Sequence, residues 1–134
     1  MAVIIDGSAG VTTNAGGSVN PSTNVEGINY SCRAWVNFNG TGTVAIRASG
    51  NVTSITDNGS GSYTVNFTNA MSDVNYAVVG GAGTSTGGAG YRWLAVGSGQ
   101  LSDFSMTTTS VRVQTVYDGT NKTDADFAAV AIFR

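Results

Sequence analysis

From Cys32 onward apolar and polar residues alternate with a period of two, the pattern of strands that bury one face. In Arg33–Phe38, Ala34, Val36 and Phe38 fall on one side, with Trp35 and Asn37 on the other. Asn39-Gly-Thr-Gly reads as a turn. Thr43 to Ser49 predicts a second strand, with Val44, Ile46 and Ala48 facing one way and Arg47 the other. Gly50 interrupts it as a bulge or corner does, and the changed spacing predicts a bulge between Val52 and Ile55. Asp57-Asn58-Gly59 followed by Ser-Gly is the strongest hairpin signal in the chain. Ser62 to Thr68 then alternates cleanly, Tyr63, Val65 and Phe67 inward, Thr64 and Asn66 outward.

Met71-Ser-Asp predicts a turn and Asn75 to Gly80 a short strand. Gly80 to Gly90 reads as a long surface loop of Gly, Ser and Thr, a place where function concentrates. Strands are predicted at Tyr91–Val96, at Asp103–Thr108 and at Ser110–Tyr117, the last with Val111 and Val113 inward and Arg112 and Gln114 outward. Asp118-Gly-Thr-Asn is a turn. Phe127 to Phe133 is apolar on both faces, which predicts a strand central in a sheet or at a subunit interface. Residues 1–30 have no helical period and only scattered Val, so they are read as an extended N-terminal arm, separate from a β domain over 31–134. Alone such an arm buries too little apolar surface to offset its ordering entropy, so another body must hold it. Eight or nine strands, turns at short regular intervals and no helix predict an all-β antiparallel sandwich or jelly roll.

Composition narrows the function classes. Glycine fills 19 of 134 positions, charged residues only 10%, and the formal net charge is −2. The basic residues form no patch for nucleic acid, and no apolar run reaches the roughly 20 residues of a membrane span. Disorder is disfavoured because it combines low hydrophobicity with high net charge. The start, Met1-Ala-Val-Ile-Ile-Asp, lacks the basic and long apolar regions of a secretory signal, so maturation without that export route is expected. Cys32 has no partner within the chain. It is expected as a buried free thiol rather than a bridge between copies, because free Cys behaves as a small core hydrophobe.

There is no histidine, which removes Ser-His-Asp and Cys-His catalysis and Cys/His zinc sites within one chain. Gly87-Gly-Ala-Gly lacks the Lys-Ser/Thr of a phosphate loop. Paired carboxylates can hydrolyse glycosides, but Asp57, Asp73 and Asp118 sit in predicted turns, where Asp bonds the local backbone. Asp124 and Asp126 would share a strand face; a calcium role is weighed there, and a solvated charge pair preferred. The Asn-X-Thr triplets at Asn39 and Asn66 are expected by chance in so polar a chain. No metal, cofactor or catalytic residue is assigned. The candidate ligand-binding set is Tyr91, Arg92, Trp93 and Tyr117, beside loops 80–92, 98–103 and 117–126. Flat aromatic surface with a nearby guanidinium can stack on sugar rings or hold an anionic glycan. Trp93 as core and Tyr91 as rim is the competing reading.

The run Ala34-Trp-Val-Asn-Phe-Asn-Gly-Thr-Gly-Thr-Val-Ala-Ile-Arg-Ala-Ser, then Asn51-Val-Thr-Ser-Ile-Thr-Asp-Asn-Gly, then Tyr63-Thr-Val-Asn-Phe, resembles a module of tail-fibre proteins of tailed bacteriophages. Asn75-Tyr76-Ala77 and Val130-Ala-Ile-Phe133 fit the same pattern, and Asp6-Gly-Ser-Ala-Gly-Val-Thr-Thr is similar to the opening of small phage fibre-type proteins. The resemblance is best over residues 32–80, moderate in the last strand and poor over 81–126, and Ser72 stands where such sequences often carry proline. It implies a virion surface protein made in the host cytoplasm, commonly a homotrimer, with no catalytic residues. The expected partners are its own copies, other virion proteins through residues 1–30, and a host-surface glycan or receptor. Neither nucleic acid nor membrane insertion is expected. Capsid decoration, or a head fibre gripping the particle through the arm, is the alternative; a glycan-degrading enzyme is the reading set aside. A β domain of this length buries only about two-thirds of its unfolded surface, so association would add stability.

Overall fold

The computed structural model describes residues 3–6, 10–13, 18–19, 31–85, 92–96, 104–117 and 121–134. The chain divides into two compact units, Met1–Ser31 and Cys32–Arg134. In the first, β1 (Val3–Asp6), β2 (Gly10–Thr13) and β3 (Ser18–Val19) form an antiparallel sheet in that order. Its described residues thus pair with one another, Val3 opposite Thr13 and Val11 opposite Val19.

The described residues of the second unit form strands and no helix: β4 (Cys32–Asn39), β5 (Ala45–Gly50), β6 (Val52–Asp57), β7 (Ser62–Phe67), β8 (Ala77–Gly83), β9 (Arg92–Ala95), β10 (Ser110–Tyr117), β11 (Asn121–Lys122) and β12 (Phe127–Phe133). A four-stranded sheet has the order β5-β4-β12-β8, and a five-stranded sheet the order β11-β10-β7-β6 with β9 on the other side of β10. All pairings are antiparallel.

The alternation read from the sequence builds the core between these two sheets. Ala34, Val36, Phe38, Ala128, Val130 and Ile132 come from the first, and Val52, Tyr63, Val65, Phe67, Val111 and Val113 from the second, all in one buried cluster. Phe38 meets Tyr63 edge-to-face across it, with ring centroids 5.1 Å apart, and Phe67 meets Tyr76 in the same manner at 5.9 Å. Each such pair adds about 0.5–1.5 kcal/mol beyond the area it buries.

Three polar devices hold the sheets in register. The first is a corner. β5 ends and β6 begins around Asn51, whose φ of 56° lets the chain leave one sheet for the other. The Asn51 side-chain nitrogen donates to the carbonyls of Arg33 (2.9 Å) and Asn69 (3.1 Å), and its oxygen accepts from the Asn69 backbone N–H (2.8 Å). The second is the hairpin at Asp57-Asn58-Gly59, where the Asp57 carboxylate accepts from Gly59 N–H and Asn58 N–H reaches the Ser62 carbonyl. The third is a knot around Asp124. Its Oδ1 accepts from Gly61 N–H (2.7 Å) and from the Tyr63 hydroxyl (3.0 Å), which also donates to the Gly40 carbonyl (2.9 Å). Burial, and then the Asp124 carboxylate, push the ionisation of Tyr63 well above the ordinary phenol value, so the hydroxyl stays a donor.

The structure revises several expectations. Gly80 to Gly83 is not loop; it completes β8, which pairs along the whole of β12. The cause is β12 itself, whose backbone groups on that edge need partners, and Gly80 lets the two strands approach where a Cβ would run into the Ala129 carbonyl. Residues 104–108 hold only an isolated bridge, Met106 to Val111, and no strand; Asp103 lies outside the described residues. Gln114 is buried, not outward in water: on β10 it is flanked by Ser62 of β7 and Ala95 of β9. The second strand is an exposed edge in which Arg47 is an extra residue; by pairing, Ile46 lies opposite inward Phe38 and Ala48 opposite outward Asn37. Cys32 is exposed: it opens β4 beyond the register shift between Ile132 and Phe133, where the alternation that buries Ala34, Val36 and Phe38 is broken. The bulge expected between Val52 and Ile55 is present, as a register shift between Val52 and Ser54. β12 is indeed central, between β4 and β8.

Candidate functional site

The far end of the five-stranded sheet carries the residues singled out from the sequence. The first half of β10 pairs with β7, and its last four residues pair with β9. Tyr117 stands opposite Arg92, and Val116 opposite Trp93. Side chains of paired residues share a face, so Arg92 and Tyr117 lie together and Trp93 lies on the other side of the sheet.

The Arg92 guanidinium carbon sits 5.8 Å from the centre of the Tyr117 ring, and its Nε donates to the Asp124 carbonyl at 3.3 Å. The ring face and the carbonyl together hold the cation in place. Tyr117 remains 37% exposed and Trp93 42%. Trp93 is therefore not core; it shields the buried Val116 beside it and leaves much of its indole in solvent. The structure thus joins Arg92 to Tyr117 and separates Trp93 from both. Tyr91 lies outside the described residues, as do loop residues 86–90, 98–103 and 118–120.

The carboxylates near this end are engaged within the protein. Asp124 and Asp126 precede β12 instead of sharing a strand face, so they point to different partners. Asp124 closes the knot with Gly61 and Tyr63. Asp126 accepts from the Ser85 hydroxyl and from the Ser85 backbone N–H (3.0 and 2.8 Å to its two oxygens), which in that order hold its ionisation below the usual carboxylate value. Arg134 beside Asp73, and then the Asn75 N–H, lower Asp73 in the same way. No cluster of three metal-ligating side chains occurs among the described residues.

A second feature went unread in the sequence. On the side of the four-stranded sheet turned away from the core, Trp35, Asn37, Val79, Gly80, Ala129 and Ala131 line an open groove of about 300 Å³. Trp35 is 44% exposed, and its indole lies over Gly50, where a Cβ would come 2.5 Å from Nε1. The signal was present: Trp35 falls opposite the inward set of β4, and Ala129 and Ala131 are the residues that make β12 apolar on both faces.

Comparison with protein-family models, characterised proteins and solved structures finds no match to this chain.

Proposed function

We propose that this chain is a non-catalytic structural protein of a bacteriophage virion, of the tail-fibre type, with a jelly-roll sandwich that assembles as a homotrimer and binds glycan on the host surface. The observation that carries the reading is the half-exposed Arg92–Tyr117 pair at one end of the five-stranded sheet, with Trp93 on the reverse of the same strand. A guanidinium fixed against an aromatic ring presents charge and a flat apolar surface together, which suits acidic sugars. The quoted tail-fibre-like run also falls on β4 to β7, the strands and turns that frame the core. Repeated weak sites on one assembly would raise avidity without catalysis.

Binding of the purified protein to immobilised bacterial capsular polysaccharide and lipopolysaccharide tests this. Tyr117→Ala and Trp93→Ala should each weaken binding about tenfold, the loss of one aromatic contact. Unchanged binding in both variants would overturn the assignment of the site.

A second reading is favoured by the separate unit Met1–Ser31. As a capsid decoration or head fibre, the chain would use that unit to hold the particle. Removing residues 1–30 should then abolish particle attachment while glycan binding persists; retained attachment counts against it.

A further inference from the structure

The two outer faces of the second unit differ in kind. Across β6 and β7 the outer side chains bond one another: Asn66 donates to Ser54 and Thr56, Asn58 donates to Thr64, and Thr53 meets Thr68. Over these two strands the face is polar and internally bonded, and at β9 it carries the exposed Trp93. Across β4, β12 and β8 the outer side chains are Trp35, Asn37, Ala129, Ala131 and Val79, with Phe127 at one end; none of these is itself charged, and Asn37 accepts from the Arg47 guanidinium. Val79 is 50% exposed and Phe127 is exposed as well. Arg33 and the bulged Arg47 lie only at its ends.

We infer that the outer face of the four-stranded sheet, with Ala48 and Gly50 of β5 beside Asn37 and Trp35 at its edge, is where copies of the chain meet, turned inward around a three-fold axis. The inference rests on the homotrimer proposed above and assigns its surface. Four strands about 4.8 Å apart make a face about 19 Å wide. Three such faces closing as a triangular prism each lie about 5.5 Å from the axis, close to half of the about 10 Å that separates packed sheets. The geometry thus leaves room for one layer of side chains from each copy. Small residues at Ala129, Ala131 and Gly81 let the sheets approach, while Trp35 and Val79 fill the space between. Side chains on such an axis meet their own copies, so a charge there would repel itself. The centre of this face carries none.

Area sets the strength. The seven residues of β12, at about 3.3 Å each, give the face a length of about 23 Å and an area of about 440 Å² per copy. That is roughly half of the about 800 Å² each partner contributes to a standard stable interface. The assembly held by this face is therefore reversible and comes apart on dilution.

Light scattering on the full chain, over a dilution series up to about 100 µM, reads the mass against 13.6 kDa for one copy. Val79→Lys adds a charge at an exposed position, and its fold is checked by circular dichroism. A three-copy mass for the parent and a one-copy mass for folded Val79→Lys support the inference. A three-copy mass for both overturns the face while the homotrimer stands. A one-copy or two-copy parent at every concentration overturns the homotrimer and this inference together. Fluorescence provides a readout that does not depend on the lysine variant folding. The chain has two tryptophans, so Trp93→Phe leaves Trp35 as sole reporter. Its emission should lie at shorter wavelength in the three-copy species and move to longer wavelength on dilution. Emission of a water-exposed indole within a three-copy species overturns the face.

Discussion

Tyr63 shows how one side chain serves both packing and polar order. Its ring lies edge-on to Phe38 while its hydroxyl joins Gly40 and Asp124. Tyr63→Phe keeps the ring and leaves the Asp124 carboxylate short of one donor, so a loss of about 1–2 kcal/mol is expected in denaturant unfolding. The pH dependence follows from its raised ionisation. The unfolded chain releases this proton near pH 10 and the folded chain above that, so the contribution is complete below about pH 10 and falls as pH rises further. An alkaline decline in the parent that is weaker in Tyr63→Phe checks the sign. At this scale the sequence was legible for the ring, because alternation placed Tyr63 inward. It was silent on the hydroxyl, whose partners come from turns distant along the chain.

At the scale of elements, turns and bulges decide where strands stop. Gly61 (φ 62°) is crowded: a Cβ there would lie 2.6 Å from the Thr115 carbonyl and would collide with the Thr123 backbone. Gly42 has the same φ with nothing within 4 Å. Gly42→Ala should therefore cost only the left-handed strain of about 1 kcal/mol, whereas Gly61→Ala adds overpacking against backbone and should cost about 3 kcal/mol or more. Equal melting temperatures for the two variants would contradict this. The hairpin at Asn58-Gly59 and the bulge after Val52 were legible because local chemistry sets them. The extension of β8 through Gly80–Gly83 was not, since a glycine run becomes strand only when a neighbour supplies the ladder. Gln114 misled for a related reason: strands on both sides of β10 bury a position that alternation assigns outward.

For the whole molecule, the two-sheet architecture followed from strand count and turn spacing, but the pairing order did not. β12 sits between β4 and β8, and nothing local announces which distant strands will flank it. The candidate site was legible as residue types and mis-grouped in space: the sequence offered Arg92, Trp93 and Tyr117 as one set, while the pairing with β10 brings Tyr117 beside Arg92 and leaves Trp93 on the other side. Low charge has its own expected outcome. With 10% charged residues, stability rests on apolar burial and neutral hydrogen bonds. Raising NaCl from about 0.01 M to about 0.15 M shortens the screening length from about 30 Å to about 8 Å, and the melting temperature should move by less than about 2 °C. A larger drop would assign stability to charge pairs.

The position of β12 also shapes how the chain is made. It leaves the ribosome after every strand it joins, so β4 and β8 of the nascent polypeptide wait with open ladders on their facing edges. Until β12 slides between them, those edges can capture strands of neighbouring chains. Weaker induction, which leaves fewer unfinished chains side by side, should raise the fraction recovered in native form.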